Sequence, residues 1–178
     1  MSRIGKAPIM IPSGVTFENN YGQVTVTGKL GKLKRTIDNG LSTRIAGNML
    51  FVENRNNRKE LNAKHGLYRQ LINNMIIGVS QGYEKKLNIN GVGYKVTQNG
   101  LDLVLNIGFS HPIRVKAIDG ITLSTDKNVI SVKGINKELV GQFAARIRSL
   151  KPVEPYHAYG ISYLDETILR KEVKSGKK

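Results

Sequence analysis

Apolar residues recur along this chain in two rhythms, and each rhythm occurs twice. Val15, Phe17, Val24, Val26, Leu33, Ile37 and the run Met49 to Val52 stand in short alternating stretches separated by Asn19-Asn20, Gly28, Gly31 and Asn39-Gly40. Period-two alternation places every second side chain on one face of a strand. Asn and Gly pairs favour tight turns, so the stretch predicts antiparallel strands joined by hairpins. From about Asn57 to Ser80 the spacing changes to three and four residues, through Leu61, Tyr68, Leu71, Ile72, Met75, Ile76 and Val79. That stripe predicts a helix laid over the sheet. Gly82 supplies a helix stop, and alternation resumes at Tyr83.

The second rhythm pair follows. Leu87, Ile89, Val92 and Val96 predict one long strand interrupted by Gly91 and Gly93, where a bulge or a close backbone approach is expected. Leu101 to Ile107, Ile113 to Ile118, Ile121 to Leu123 and Val129 to Val132 predict further strands, with Asn99-Gly100 and Asp119-Gly120 as turns. Leu139, Val140, Phe143, Ala144 and Ile147 form the stripe of a closing helix, capped by Asn136 and ended at Leu150 before Pro152. Lys59-Glu60-Leu61 recurs as Lys137-Glu138-Leu139, Val24 to Gly28 has a counterpart in Leu101 to Leu105, and Ile37 stands the same interval before Val115. A duplicated module accounts for this. The predicted fold is α+β: two tandem modules, residues 1–82 and 83–178, each an antiparallel sheet with one packed helix, and a basic C-terminal tail.

Residues 151–178 lack a hydrophobic period. Pro152 and Pro155 exclude a helix and make Lys151 and Glu154 extended. Beyond Leu169, Arg170, Lys171, Lys174, Lys177 and Lys178 oppose only Glu172, a cationic segment with too little apolar surface to fold alone. The whole chain carries 28 Lys plus Arg against 13 Asp plus Glu, a formal charge of +15 on 178 residues. Such charge repels itself in a compact body and becomes favourable against phosphates, whose counterions are released on binding. A membrane is the weaker candidate for the polyanion, because no stretch reaches the length of a transmembrane span. The chain has no Cys, which removes disulfides and thiolate metal sites, and Met1 to Lys6 lacks the apolar core of a signal peptide. An intracellular protein is expected.

Candidate chemistry narrows the classes further. His65, His111 and His157 are far apart, with no second His or Cys at metal-ligand spacing, so no metal and no cofactor are expected. Ser110 and His111 are adjacent and would point to opposite strand faces, which rules out a nucleophile-base pair. Gly91-Val92-Gly93 lacks the third glycine and following helix of a dinucleotide loop, so it stands as a strand bulge or as a place where backbone amides and Lys95 approach a phosphate. Arg146 and Arg148 are separated by roughly 200° around the second helix and flank its apolar stripe. Either is a solvated flank or an RNA contact, with Lys151 just beyond. Tyr156, Tyr159 and Tyr163 are stacking candidates for unpaired bases, or dock the tail onto the second module.

Pro152, Glu154, Pro155 and Tyr156, followed by a glycine-containing loop and a lysine-rich end, are similar to the C-terminal signature of large-subunit ribosomal protein six, bacterial and plastid type. Residues 2–9 (SRIGKAPI), 65–75 (HGLYRQLINNM), 90–95 (NGVGYK) and 108–113 (GFSHPI) also resemble that family, in its order and spacing. One departure stands out. Where the family loop runs lysine, glycine, lysine, glycine, a β-branched residue, a basic residue and tyrosine, this chain has His157, Ala158, Tyr159, Gly160, Ile161, Ser162 and Tyr163. The resemblance implies a non-enzymatic structural constituent of the large ribosomal subunit. Its partners would be ribosomal RNA and neighbouring ribosomal proteins, near the RNA element that engages translational GTPases, in a bacterial cytoplasm or alternatively a plastid stroma. No membrane and no small-molecule substrate are expected. The RNA-binding residues expected are Lys95, Arg146, Arg148, Lys151, Tyr159, Arg170, Lys171, Lys174, Lys177 and Lys178. A free RNA-binding regulator or chaperone is the alternative, and an RNA-modifying enzyme the third class.

Overall fold

The computed structural model describes residues 3–54 and 59–172. The chain divides into two compact units, one of residues 1–83 with 135–137, the other of residues 84–134 with 138–178. The short segment 135–137 thus belongs with the first unit, an assignment that a split in chain order does not make.

The first unit contains α1 (Arg3–Lys6), β1 (Ile9–Met10), β2 (Thr16–Asn20), β3 (Gln23–Gly28), β4 (Gly31–Thr36), β5 (Leu41–Ala46), β6 (Met49–Asn54) and α2 (Lys59–Ser80). Two antiparallel three-stranded sheets result, in the orders β2-β3-β4 and β1-β6-β5. Val24 and Val26 from β3, Leu50 and Val52 from β6, and Ile72, Ile76 and Val79 from α2 are buried together with Ile9 and Ile37. Each fully buried aliphatic side chain contributes about 1.5–3 kcal/mol. The predicted helix is present, and His65 belongs to its buried face, with Nε2 2.7 Å from the Val52 carbonyl oxygen. The first hairpin turns at Tyr21-Gly22 and not at Asn19-Asn20. Asn20 pairs with Gln23, and the two turn residues both have positive φ, 50° and 84°, the backbone twist that a two-residue loop requires. Sequence pattern also misses α1, β1 and β5. In β5 only Leu41 is buried, so Leu41–Ala46 carries no alternation to read.

The second unit contains β7 (Tyr83–Asn90), β8 (Lys95–Asn99), β9 (Asp102–Asn106), β10 (Ile113–Val115), β11 (Ile121–Asp126), β12 (Val129–Gly134), α3 (Lys137–Leu150) and β13 (Gly160–Tyr163). Its sheets have the orders β10-β9-β8 and β11-β12-β7-β13. The long strand predicted through Leu87 to Val96 is two strands in different sheets. The chain breaks at 91–94, where Val92 is 83% exposed, and the Tyr94 ring lies so close over Gly91 that a Cβ there would stand 2.5 Å from it. Gly91 is glycine because an aromatic ring covers it. Leu87, Ile89, Leu103, Leu105, Ile130 and Val132 are buried, with Val140, Phe143, Ala144 and Ile147 from the predicted stripe of α3.

The fold class is α+β, as expected, and the duplication is visible in it. Strands β5 and β6 start at 41 and 49, β11 and β12 at 121 and 129, and the order β5-β6-β1 recurs as β11-β12-β7. Even the connecting turns match, with Gly47 at φ 60° and Lys127 at φ 52°. The difference is β13, an extra strand on β7 for which the described residues of the first unit have no equivalent.

Candidate nucleic-acid interface

After α3 ends, Pro152 and Pro155 keep the chain extended, and it returns along its own path. The Ile161 amide donates to the Lys151 carbonyl at 2.9 Å, the Glu154 amide donates to the Tyr159 carbonyl at 3.0 Å, and Pro152 bridges Ile161. The loop closes so tightly that a Cβ at Gly160, whose φ is 143°, would stand 2.7 Å from the Pro152 carbonyl oxygen. Only glycine fits there. Ala158 stands at φ 61°, is buried, and its carbonyl accepts a hydrogen bond from Asn90 Nδ2 at 3.1 Å. Gly160 then pairs with Asn90, Ile161 with Ile89, Ser162 with Asn88 and Tyr163 with Leu87. The stretch that departs from the family pattern is therefore a rigid loop built into the sheet edge.

Its outer surface is aromatic. The His157 and Tyr159 rings stack at a centroid distance of 5.3 Å and 19° between planes, Tyr156 is half exposed, and His157 Nδ1 lies 3.2 Å from Glu154 Oε1. Lys151 extends its ammonium group over the Phe109 ring, 5.0 Å from the centroid, a cation–π contact that fixes its position while leaving it open to a phosphate. Arg170 and Lys171 are exposed, and the Lys171 amide donates to the Pro155 carbonyl at 2.8 Å, so the start of the cationic segment is turned back onto the same loop. Lys151 and Tyr159 thus stand on one closed loop, and the backbone of Lys171, next to Arg170, is hydrogen-bonded onto it at Pro155. Lys95, exposed at the start of β8 opposite Asn106, stands on the other sheet. Lys174, Lys177 and Lys178 lie outside the described residues.

The two helix arginines are placed differently. Arg148 faces inward: Nε donates to Glu166 Oε2 at 2.9 Å, Nη2 donates to Glu166 Oε1, and the guanidinium lies 5.6 Å from the Tyr163 ring centroid. Glu166 Oε2 also accepts the Tyr163 amide at 3.0 Å. The Arg148 hydrogen bond, aided by that amide, holds the Glu166 carboxyl below the usual carboxylate range, and Glu166 in turn raises Arg148. This bidentate pair ties β13 to α3. Arg146 instead borders an open groove of about 390 Å³ between β10 and α3, lined also by Arg114, Lys116, Phe143, Ile147 and Leu150. Arg114 and Lys116 escaped sequence reasoning, although their spacing of two on a predicted strand puts both on one face. Lys85 lies over the Tyr163 ring, 5.5 Å from its centroid.

Among the described residues no cluster of His, Asp or Glu could hold a metal ion, and no helix is long and apolar enough to cross a membrane. The profile of the ribosomal protein L6 family matches the chain twice, over residues 11–82 and 90–164. The chain is 47% identical over 178 residues to the large ribosomal subunit protein uL6 of Staphylococcus aureus strains JH9, JH1 and Mu3, covering 99% of this chain and 100% of each relative. Two matches to one profile agree with the repeated strand order. The chain belongs to the ribosomal protein L6 family, whose members are structural proteins of the ribosome and not enzymes.

Proposed function

We propose that the protein is a constituent of the large ribosomal subunit that holds ribosomal RNA through its second unit, in the cytoplasm of a bacterium. The observation that carries this reading is the loop of residues 151–160, fixed by β13, which holds the stacked His157 and Tyr159 and the cation Lys151 and onto which the backbone of Lys171 is hydrogen-bonded at Pro155. Aromatic faces offer stacking for unpaired bases, and the cations displace counterions from phosphates. Lys95 adds a phosphate contact from β8, and Lys174, Lys177 and Lys178 extend the cationic segment. Net charge does not select the second unit: residues 1–82 hold 12 cations and 4 anions, residues 83–178 hold 16 and 9. Arrangement does, because charge converging on a fixed surface makes a site. In this reading Arg148, paired with Glu166, positions the loop instead of meeting RNA.

Proximity to the element that engages translational GTPases rests on the family resemblance and is part of the proposal. Filter binding of the full chain to large-subunit RNA at one stated salt concentration tests the site. Tyr159→Ala should lower affinity by about 1–3 kcal/mol if a base stacks there, and an unchanged affinity would exclude stacking. Lys29→Ala, on the first unit, should have little effect. Co-sedimentation with ribosomes that survives a high-salt wash separates a constituent from a free RNA-binding regulator. Crosslinks from residue 157 that miss the GTPase-engaging element would refute the placement.

A further inference from the structure

We propose that the groove between β10 and α3 receives an extended, acidic peptide segment of a neighbouring protein as an added strand. β10 is the edge of the β10-β9-β8 sheet, paired on one side only. Ile113 to Ile118, six consecutive residues, all line the groove together with α3. A single face of a strand would contribute alternate residues, so the backbone edge itself borders the groove. Its polarity is also set. Just beyond β10 the Ala117 amide donates to the Asp102 side chain, Oδ1, at 3.2 Å, toward β9. Within β10, Ile113, Arg114 and Val115 pair in turn with β9, and alternation leaves one residue in two with its amide and carbonyl toward the free edge, Arg114 if the polarity at Ala117 continues. Among the described residues no loop or turn hydrogen bond engages these groups. These are the groups to which an incoming strand hydrogen-bonds.

Charge and polarity choose the occupant. The floor is apolar, formed by Phe143, Ile147 and Leu150, while Arg114, Lys116 and Arg146 stand around it, and no carboxylate of the described residues forms an ion pair with any of the three. Aliphatic side chains on one face of an extended peptide would cover the floor, and acidic ones on the other would meet the cations. RNA suits this place less well, since a phosphate would lose water against Phe143 and Ile147 without using the strand edge. The volume of about 390 Å³ falls in the range of sites that bury a ligand's side chains rather than a flat contact.

The test uses the ¹⁵N-labelled full chain and an acetylated, amidated hexapeptide of alternating Glu and Val, followed by amide shifts and by anisotropy of a fluorescent copy. Three controls are the Lys-Val counterpart, the Glu-Val peptide N-methylated at alternate residues, and an oligouridylate. The acidic peptide should shift the Arg114 and Lys116 amides, and Arg114→Glu or Arg146→Glu should weaken it about tenfold, a loss of about 1.4 kcal/mol, with the remaining amide spectrum unchanged to show that the variants are folded. N-methylation should abolish the shifts. The proposal is overturned if millimolar peptide leaves 113–118 unshifted, if the Lys-Val peptide binds as well, if N-methylation has no effect, or if oligouridylate displaces the acidic peptide from these residues, which would make the groove a nucleic-acid site.

Discussion

The pair Arg148–Glu166 is the sharpest place to perturb the candidate RNA surface without touching it. Its side chains are 37% and 27% exposed, between a solvated surface pair, worth about 0–1 kcal/mol, and a fully desolvated charged hydrogen bond, worth about 1.5–3 kcal/mol. Two parallel hydrogen bonds and the Tyr163 amide on the same carboxylate favour the upper side, and partial exposure the lower, so the coupling should be about 1 kcal/mol. A cycle of Arg148→Met, Glu166→Gln and the double variant measures it. Glu166→Gln keeps an acceptor for the Tyr163 amide while removing the charge and one of the two oxygens that accept from Arg148. Because two units need not unfold together, the readout is native-state hydrogen exchange of the Ile161 and Ile89 amides and not a global melt. The sign with pH follows from the lowered Glu166 carboxyl. Its contribution is complete above the ordinary glutamate pKa of about 4.3 and is lost as pH falls through the lower value of the folded state. A coupling under about 0.3 kcal/mol, within the usual error of additivity, would refute the reasoning and leave the strand ladder alone holding the loop.

Further outcomes are expected elsewhere in the same region. Gly160→Ala should destabilise the loop by about 3 kcal/mol, since it combines a φ near 143° with a Cβ against the Pro152 carbonyl, and exchange of the Glu154 amide should accelerate; unchanged protection would refute the close approach. Removing residues 169–178, which carry five cations and one anion, should reduce the slope of log affinity for ribosomal RNA against log salt by about 2–3, and an unaltered slope would mean the segment is merely solvated. Replacing His157 and Tyr159 by Lys should raise affinity for the RNA of other family members in filter binding, because it restores two of the family's cations; a fall would show that their stacked rings are matched to a different surface. Ile161→Ala, at a fully buried position of β13, should cost about 2–4 kcal/mol by chemical denaturation of the second unit.

Sequence reached the two long helices because their stripes repeat over several turns, so that one face of α2 and one of α3 are named residue by residue. It reached the hairpins marked by Gly28 and Gly31 and by Asn99-Gly100, whereas Asn39-Gly40 and Asp119-Gly120 join strands of different sheets and the turns at Gly47 and Lys127 carried no signal that was read. It failed where the information is not local. β13 carries one strong apolar residue, Ile161, behind two prolines, and becomes a strand only because β7, some seventy residues earlier, offers an unpaired edge. Gly91 and Gly93 mark an interruption between Leu87 and Val96, but nothing nearby says that Tyr94 folds over Gly91 or that the chain changes sheet there. At the site, the cationic segment and the tyrosines were legible from type and position. The pairing of Arg148 was not, because its partner Glu166 lies beyond the helix at no regular spacing.

The position of β13 has a kinetic side. β7 is synthesised long before the strand that completes its sheet, and Gly160 must find Asn90 across an intervening hairpin set and a helix. Until then, β7 presents an open hydrogen-bonding edge backed by Leu87 and Ile89, a template for pairing with another chain. Non-local closure of this kind is slow. A nascent or cleaved chain lacking residues 160–163 would consequently be recognisable as incomplete by that edge alone. The second unit should therefore depend on chaperones, or on rapid capture by its RNA, more than the first, whose most distant pairing, Ile9 with Leu50, closes over a shorter stretch of chain.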